Sequence, residues 1–303
     1  MSNSNEHFQF TDERFADLQM LRYRLNGFED LTLSQQIYIY CLAKATLMGR
    51  DITFDQQGKY NLRIRKTLEA IYKHYDGDRT SDDFKALEVY LKRVWFSSGI
   101  YHHYGCEKFK PGFSEHFFYE AVSLMPETEL PLRRGETKED LLDELVPVIF
   151  DEEVLPKRVN QTDGVDLVAT SACNFYEDVT QDEVERFYAR LKDGEDLTPP
   201  SYGLNSKLMK RNGEIVEMTW KEDGMYGTAI KEITSWLLKA QKYAENEQQA
   251  HVIDLLIKYY RTGDLSDFDR YSIAWVKQQE GMVDFINGFI EVYGDPLGPV
   301  SYT

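Results

Sequence analysis

Apolar residues recur at helical spacing through most of the chain. Behind Ser34 as N-cap, Ile37, Tyr40, Cys41, Ala45 and Met48 form one stripe that stops at Gly49. The same pattern predicts helices over Tyr60–Tyr75 (Leu62, Ile64, Leu68, Ile71) and Phe84–Ser98 (Leu87, Val89, Leu91, Val94, Trp95). It continues over Glu115–Leu124, Thr137–Phe150 despite Pro147, Gln181–Lys192, Met225–Ala244, the stretch from Ala244 to Gly263, and Leu265–Val276. Thr180 and Glu183 have the spacing of a capping box. Phe15–Leu25 fits a short helix or a strand equally, and Val165–Ala169 reads as a strand. Gly203–Lys210 and Glu214–Trp220 read as a hairpin, because Asn212-Gly213 suits the positive dihedrals of a tight turn. No internal repeat, low-complexity tract or heptad pattern is present. The expected fold is mainly α with a small β-sheet or partial β-barrel, an α+β chain. A helical subdomain over 1–160 would precede a mixed α+β subdomain over 161–303.

Near the C-terminus the period changes. In VDFINGFIEVYGDPLG (283–298), Val283, Phe285, Asn287, Phe289, Glu291 and Tyr293 share one parity, and β-branched and aromatic residues dominate. A period of two predicts a strand, which would join the hairpin in a small sheet. Side chains two apart on a strand stand on one face, about 6.5–7 Å apart. Glu291 and Tyr293 would therefore be neighbours on an otherwise apolar face, ahead of the break at Asp295-Pro296 and Gly298. A carboxylate and a phenol so placed need partners. They either cap and pack locally, or they form a ligand site in which the acid meets a cation and the phenol donates to a carbonyl or oxyanion.

The segment IAWVKQQEGMVDFINGFIEVYGDPLG resembles the part of the dipeptidyl peptidase III family that carries Glu-x-Tyr followed by Asp-Pro. LTLSQQIYIYCLAKATLMGRDITFDQ, VYLKRVWFSSGIYHHYGCEKFKPGF, SACNFYEDVTQDEVERFYARLKD and KAQKYAENEQQAHVIDLLIKYYRTGDLSDFD are similar to further stretches of that family, in its order. The likeness is to its bacterial branch and covers almost the whole chain. The resemblance implies a zinc exopeptidase that releases dipeptides from peptide N-termini, with short peptides as partners. It implies that Glu291 forms a salt bridge to the substrate α-amino group. Tyr293 would hydrogen-bond the scissile region and serve as a donor to the transition state. It also places the GIYHHYGCEKFKPGF loop beside the substrate groove, with Tyr101, Tyr104 and Phe109 as weaker contacts to peptide side chains.

Charge narrows the partners. The 303 residues carry 52 acids against 35 bases, a net −17, which argues against nucleic acid and against an anionic membrane surface. Hydrophobic content of 42 % argues for a real core rather than disorder. Cys41, Cys106 and Cys173 are odd in number and far apart, so no disulfide framework is expected and a reducing compartment fits. No apolar run approaches the roughly 20 residues of a membrane span, and MSNSNEHFQF is no export signal. A cytoplasmic location is expected, with a removed leader as the alternative.

His102, His103, Cys106 and His116 invite a metal hypothesis, but adjacent histidines diverge on a helix and the spacing is not that of a zinc site. The family's zinc site uses an H-E-x-x-G-H helix and a later glutamate. None of the six histidines (His7, His74, His102, His103, His116, His251) begins such a motif. Zinc is thus expected in the complete enzyme and not in this chain. The chain looks like most of the lobe opposite the zinc lobe, lacks the catalytic C-terminal half as a partner, and is expected to be inactive alone. The alternative is a non-catalytic helical module that kept the fold for peptide or protein binding. A reading frame continuing past Thr303 into H-E-x-x-G-H would discriminate the two. A third, an unrelated hydrolase using Glu291 as general base, lacks a second catalytic group at a sensible spacing.

Overall fold

A computed structural model describes residues 8–192, 194–288 and 294–298. Helices dominate, with two small sheets, as the apolar periodicity predicts. The N-terminal stretch that fitted helix or strand forms a hairpin, β1 (Thr11–Phe15) and β2 (Leu18–Leu21). Helix α1 (Leu33–Met48) starts one cap earlier than expected: Thr32, not Ser34, is its N-cap. Thr32 Oγ1 accepts from Gln35 N at 3.3 Å, and Gln35 Oε1 accepts from Thr32 N at 2.8 Å. The reciprocal spacing of three decides this, since Gln35 can reach back only to Thr32. A short helix, α2 (Arg50–Gln56), follows directly.

Helices α3 (Asn61–His74), α4 (Asp82–Ser97), α5 (Glu115–Leu124) and α6 (Lys138–Phe150) enclose the first core. Its centre is Ile64, Leu68, Ile71, Leu87, Leu91, Val94, Phe118, Leu141 and Leu145, with essentially no exposed surface. Full burial of each such aliphatic side chain contributes about 1.5–3 kcal/mol. Two residues assigned to the buried stripe of α4, Val89 and Trp95, lie outside it at 37 % and 42 % exposure. The core face runs through Phe84, Leu87, Leu91 and Val94, so Trp95 falls one position past it. Its indole Nε1 instead donates to Glu69 at 2.8 Å.

The second core joins α1 and α2 to the last three helices. Tyr38, Cys41 and Ala45 of α1 and Ile52 of α2 pack with Ile230, Leu237, Ile253, Leu256 and Tyr271. These come from α8 (Gly227–Gln241), α9 (Glu247–Thr262) and α10 (Leu265–Lys277). Hence α1 shares its interior with C-terminal helices, although it precedes residue 160.

The third core lies under a three-stranded sheet. β4 (Ser206–Arg211) and β5 (Glu214–Thr219) are the predicted hairpin, with Asn212 and Gly213 at φ 52° and 84°. Positive φ at both central residues gives the turn whose twist matches the strands. β3 (Tyr176–Glu177) joins β4 in parallel, and α7 (Gln181–Ala189) covers the apolar face through Val184 and Tyr188. Val165–Ala169, expected as a strand, is turned: Asp166 Oδ1 accepts from Val168 N at 3.0 Å and Ala169 N at 2.9 Å, closing the backbone on itself. Where α9 ends, Gly263 has φ 70°, and a Cβ there would sit 2.5 Å from the Thr219 methyl, so a side chain is excluded on both counts.

Candidate functional site

The strand expected over Val283–Tyr293 is not formed in its described part. Residues 283–288 are extended but pair with no strand. The parity signal is nonetheless present in the burial: Val283, Phe285 and Asn287 are half-buried, and Asp284, Ile286 and Gly288 are exposed. A period of two reports an extended chain with one covered face. Here the cover is helical, and side chains supply the bonds that a ladder would have made.

Glu245, just beyond α8, accepts from Met282 N at 2.8 Å, Val283 N at 2.9 Å and Gln35 Nε2 at 2.6 Å. Burial opposes its charge, but those hydrogen bonds outweigh burial and hold its pKa below the usual carboxylate value. Gln249 Nε2 donates to Val283 O at 2.7 Å, Trp275 Nε1 to Phe285 O at 2.9 Å, and Tyr260 OH to Asn287 Oδ1 at 2.7 Å. The segment is thereby tied to α9 and α10 along its length.

Between this segment and the start of the chain runs a groove of about 420 Å³. Leu42 and Ala45 of α1, Ile52 and Gln56 of α2, Ile233 and Leu237 of α8, and Leu256 and Tyr260 of α9 line it, with residues 285–288 as the remaining wall. The lining is largely apolar, with a few amides and hydroxyls and the Arg50 guanidinium among it. That mixture is typical of sites for small organic or peptide ligands.

Beyond the groove, Asp295 is 6 % exposed. Tyr176 OH lies 2.9 Å from both of its oxygens, and Leu297 N donates to Oδ1 at 2.9 Å. Burial pushes the Asp295 carboxyl up to about 6, against the lowering effect of those donors. The Tyr176 hydroxyl is raised far above its ordinary value by burial and then by the acid beside it.

Glu291 and Tyr293 lie outside the described residues. The three weaker candidates are placed away from the groove. Tyr101 is buried in the first core and its OH donates to Leu155 O at 3.0 Å. Phe109 is buried beneath the Arg93 guanidinium, 5.0 Å from its ring centroid, while Tyr104 is 85 % exposed. Their loop is a tight one: His102 Nδ1 accepts from Tyr104 N at 3.2 Å and Gly105 N at 3.0 Å, which occupies that nitrogen. His102 and His103 stack at 4.5 Å, and Arg158 Nη2 lies 3.4 Å from Cys106 Sγ. His116 is exposed on α5. Among the described residues no group of three or more His, Cys, Asp or Glu side chains could hold a metal ion, so the donor set there does not fit zinc.

Residue spacing did not reveal a buried polar network behind the groove. Asp55 Oδ2 accepts from Tyr226 OH at 2.5 Å and Asn174 Nδ2 at 3.0 Å. Asn174 Oδ1 accepts from Lys207 Nζ at 2.6 Å, and Lys207 also binds the Glu177 carboxylate. The network joins α2, the approach to β3, β4 and the start of α8. Its one sequence signal is Lys207, a cation just ahead of Leu208 and Met209 near the start of a strand.

The model for peptidase family M49 matches residues 200–301, the span of the hairpin, α8–α10 and the groove wall. Dipeptidyl peptidase 3 of Mus musculus is 23 % identical over 90 % of this chain and 41 % of its own length. The Homo sapiens protein of the same name gives the same 23 %, 90 % and 41 %. That of Nematostella vectensis is 29 % identical over 30 % of the chain. The chain thus spans about two fifths of the mouse and human relatives it matches. The solved structure of DPP III from Caldithrix abyssi superposes over 92 % of this chain and 39 % of that one, with a TM-score of 0.56 at 17 % identity, which shows a shared fold. Residues 200–301 match the M49 model and nine tenths of the chain is similar to dipeptidyl peptidase 3 proteins, so the likeness is to a part of the dipeptidyl peptidase III family, peptidase family M49.

Proposed function

We propose that this chain is the peptide-gripping part of a zinc-dependent dipeptidyl peptidase. Glu291 takes the α-ammonium group of a short peptide, and Tyr293 donates to its backbone near the scissile bond. The observation that carries this reading is the extent of the family match: residues 200–301 include the groove wall and run on through Glu291-x-Tyr293-x-Asp295-Pro296. The relatives are named dipeptidyl peptidases, and the family is zinc-dependent. The zinc, with the water it activates, belongs to residues other than these 303, which contain no H-E-x-x-G-H.

Calorimetric titration of the chain with Ala-Ala-Ala-Ala, free or acetylated at its N-terminus, tests the amine clamp. The free peptide is expected to bind at least tenfold more tightly, and Glu291→Gln to abolish that preference. Tenfold is about 1.4 kcal/mol, the scale of one charge-assisted contact. Equal binding of the two peptides to the wild-type chain would remove the basis for the assignment. The same chain with added Zn²⁺ is expected to leave a dipeptidyl-arylamide intact; metal-dependent turnover would show that it is catalytic by itself.

A further inference from the structure

Two side-chain NH₂ groups at the groove are left without partners. Gln56, on the last turn of α2, is 4 % exposed and lines the groove, and its Nε2 makes no hydrogen bond. Its backbone carbonyl is already used by Asn174 N at 2.9 Å, so the residue is held in place from behind. In the same lining, Asn287 Oδ1 accepts from Tyr260 OH at 2.7 Å, and its buried Nδ2 likewise has no partner. A buried amide donor left unpaired costs about 1–3 kcal/mol, so two at one groove are not a neutral feature.

What would satisfy them is set by the rest of the lining. The neighbours are Leu42, Ile52, Ile233, Leu237, Leu256 and Phe285, so the occupant needs an apolar side chain. It also needs hydrogen-bond acceptors for the two NH₂ groups. Arg50, the cation in the lining, is exposed and already lies 3.8 Å from the Asp51 carboxylate, so a free carboxylate buried among the apolar side chains has no unpaired cation to meet. Uncharged carbonyl oxygens meet the requirement.

We infer that the groove binds a peptide segment whose main-chain carbonyls accept from Gln56 Nε2 and Asn287 Nδ2 while one aliphatic or aromatic side chain fills the apolar lining. This rests on the peptide-binding function proposed above and adds the substrate class: peptides with a bulky apolar residue. It makes Gln56 a specificity-determining contact, distinct from the amine clamp at Glu291.

The test uses N-acetylated peptides, which do not engage that clamp. Acetyl-Ala-Leu-Ala-amide and acetyl-Ala-Ser-Ala-amide are titrated into ¹⁵N-labelled chain, and the side-chain NH₂ signals of Gln56 and Asn287 are followed. Both signals should shift with the leucine peptide, which should bind at least fivefold more tightly than the serine one. Gln56→Leu should weaken the leucine peptide about tenfold without lowering the thermal midpoint, because it removes an unpaired amide from an apolar site. Unmoved signals, no preference for leucine, or unchanged binding by Gln56→Leu would each overturn the inference. Contacts from the chain's own backbone to both NH₂ groups before any peptide is added would overturn it too. Those failures leave the free-versus-acetylated comparison at Glu291 untouched, so the two proposals fall separately.

Discussion

Lys207→Met is expected to destabilise the protein by about 3 kcal/mol at pH 7, the lower end of the cost of removing one member of a buried ion pair. Lys207 is 5 % exposed and serves both Asn174 and Glu177. Methionine keeps the volume and removes the charge, so the loss measures the pairing rather than a cavity. Glu177 would retain only Lys59, at 3.4 Å and on the outer side. The pH dependence gives an independent check. Burial alone would raise the Glu177 pKa, but Lys207 and then Lys59 bring it below its ordinary value. A depressed acid stabilises the fold above its unfolded pKa, and that stabilisation is lost as pH falls through the folded value. The gap between wild type and Lys207→Met in urea unfolding should therefore be widest at pH 7 and shrink on acidification below pH about 4. A gap under about 1 kcal/mol, or one indifferent to pH, would mean that the network does not hold these elements together.

The second large effect has the opposite sign. Asp295→Asn should stabilise the protein at neutral pH by about 2–3 kcal/mol, the linkage value of a carboxyl raised from 3.8 to about 6. Because the folded form binds its proton more tightly than the unfolded chain, stability is lost as pH rises from about 4 to about 6 and stays lost above. Asparagine accepts the same bonds from Tyr176 OH and Leu297 N without charge. Paired thermal melts should then show no difference near pH 4 and a difference that opens to its full size by pH 7. A constant difference across that range would place the cost of Asp295 elsewhere. A chain that keeps an ionisable acid buried two residues past Tyr293 in sequence carries a destabilising charge close in sequence to the proposed amine clamp. Such sites often hold stability in reserve for function.

Helices that bury a single stripe were readable because the stripe is local: Ile64, Leu68 and Ile71 announce α3 by spacing alone. Helix α1 was harder, since Leu33, Tyr40 and Leu47 are apolar yet exposed, and only packing against α8 shows which face is the inner one. The hairpin was readable because Asn212-Gly213 demands a backbone conformation that few other residue pairs tolerate. Residues 283–288 show the limit of the same reasoning. Alternation specifies an extended backbone with one covered face, but not whether a strand or a pair of helices provides the cover.

The chain's own order of residues determined the helices, the cap at Thr180, the tight turn, the acidic surface and the family likeness. Each of these depends on neighbours a few positions apart or on composition. Tertiary structure alone decided that α1 completes the C-terminal core and that Gln56 and Asn287 line one groove. It also decided that Asp55, Asn174 and Lys207 share one hydrogen-bonded network, and that Asp295 is buried against Tyr176. Asp55–Asn174 and Tyr176–Asp295 each join residues 119 positions apart, and Asn174–Lys207 residues 33 apart. No local period encodes such a meeting; the collapse of three apolar cores onto one another brings it about.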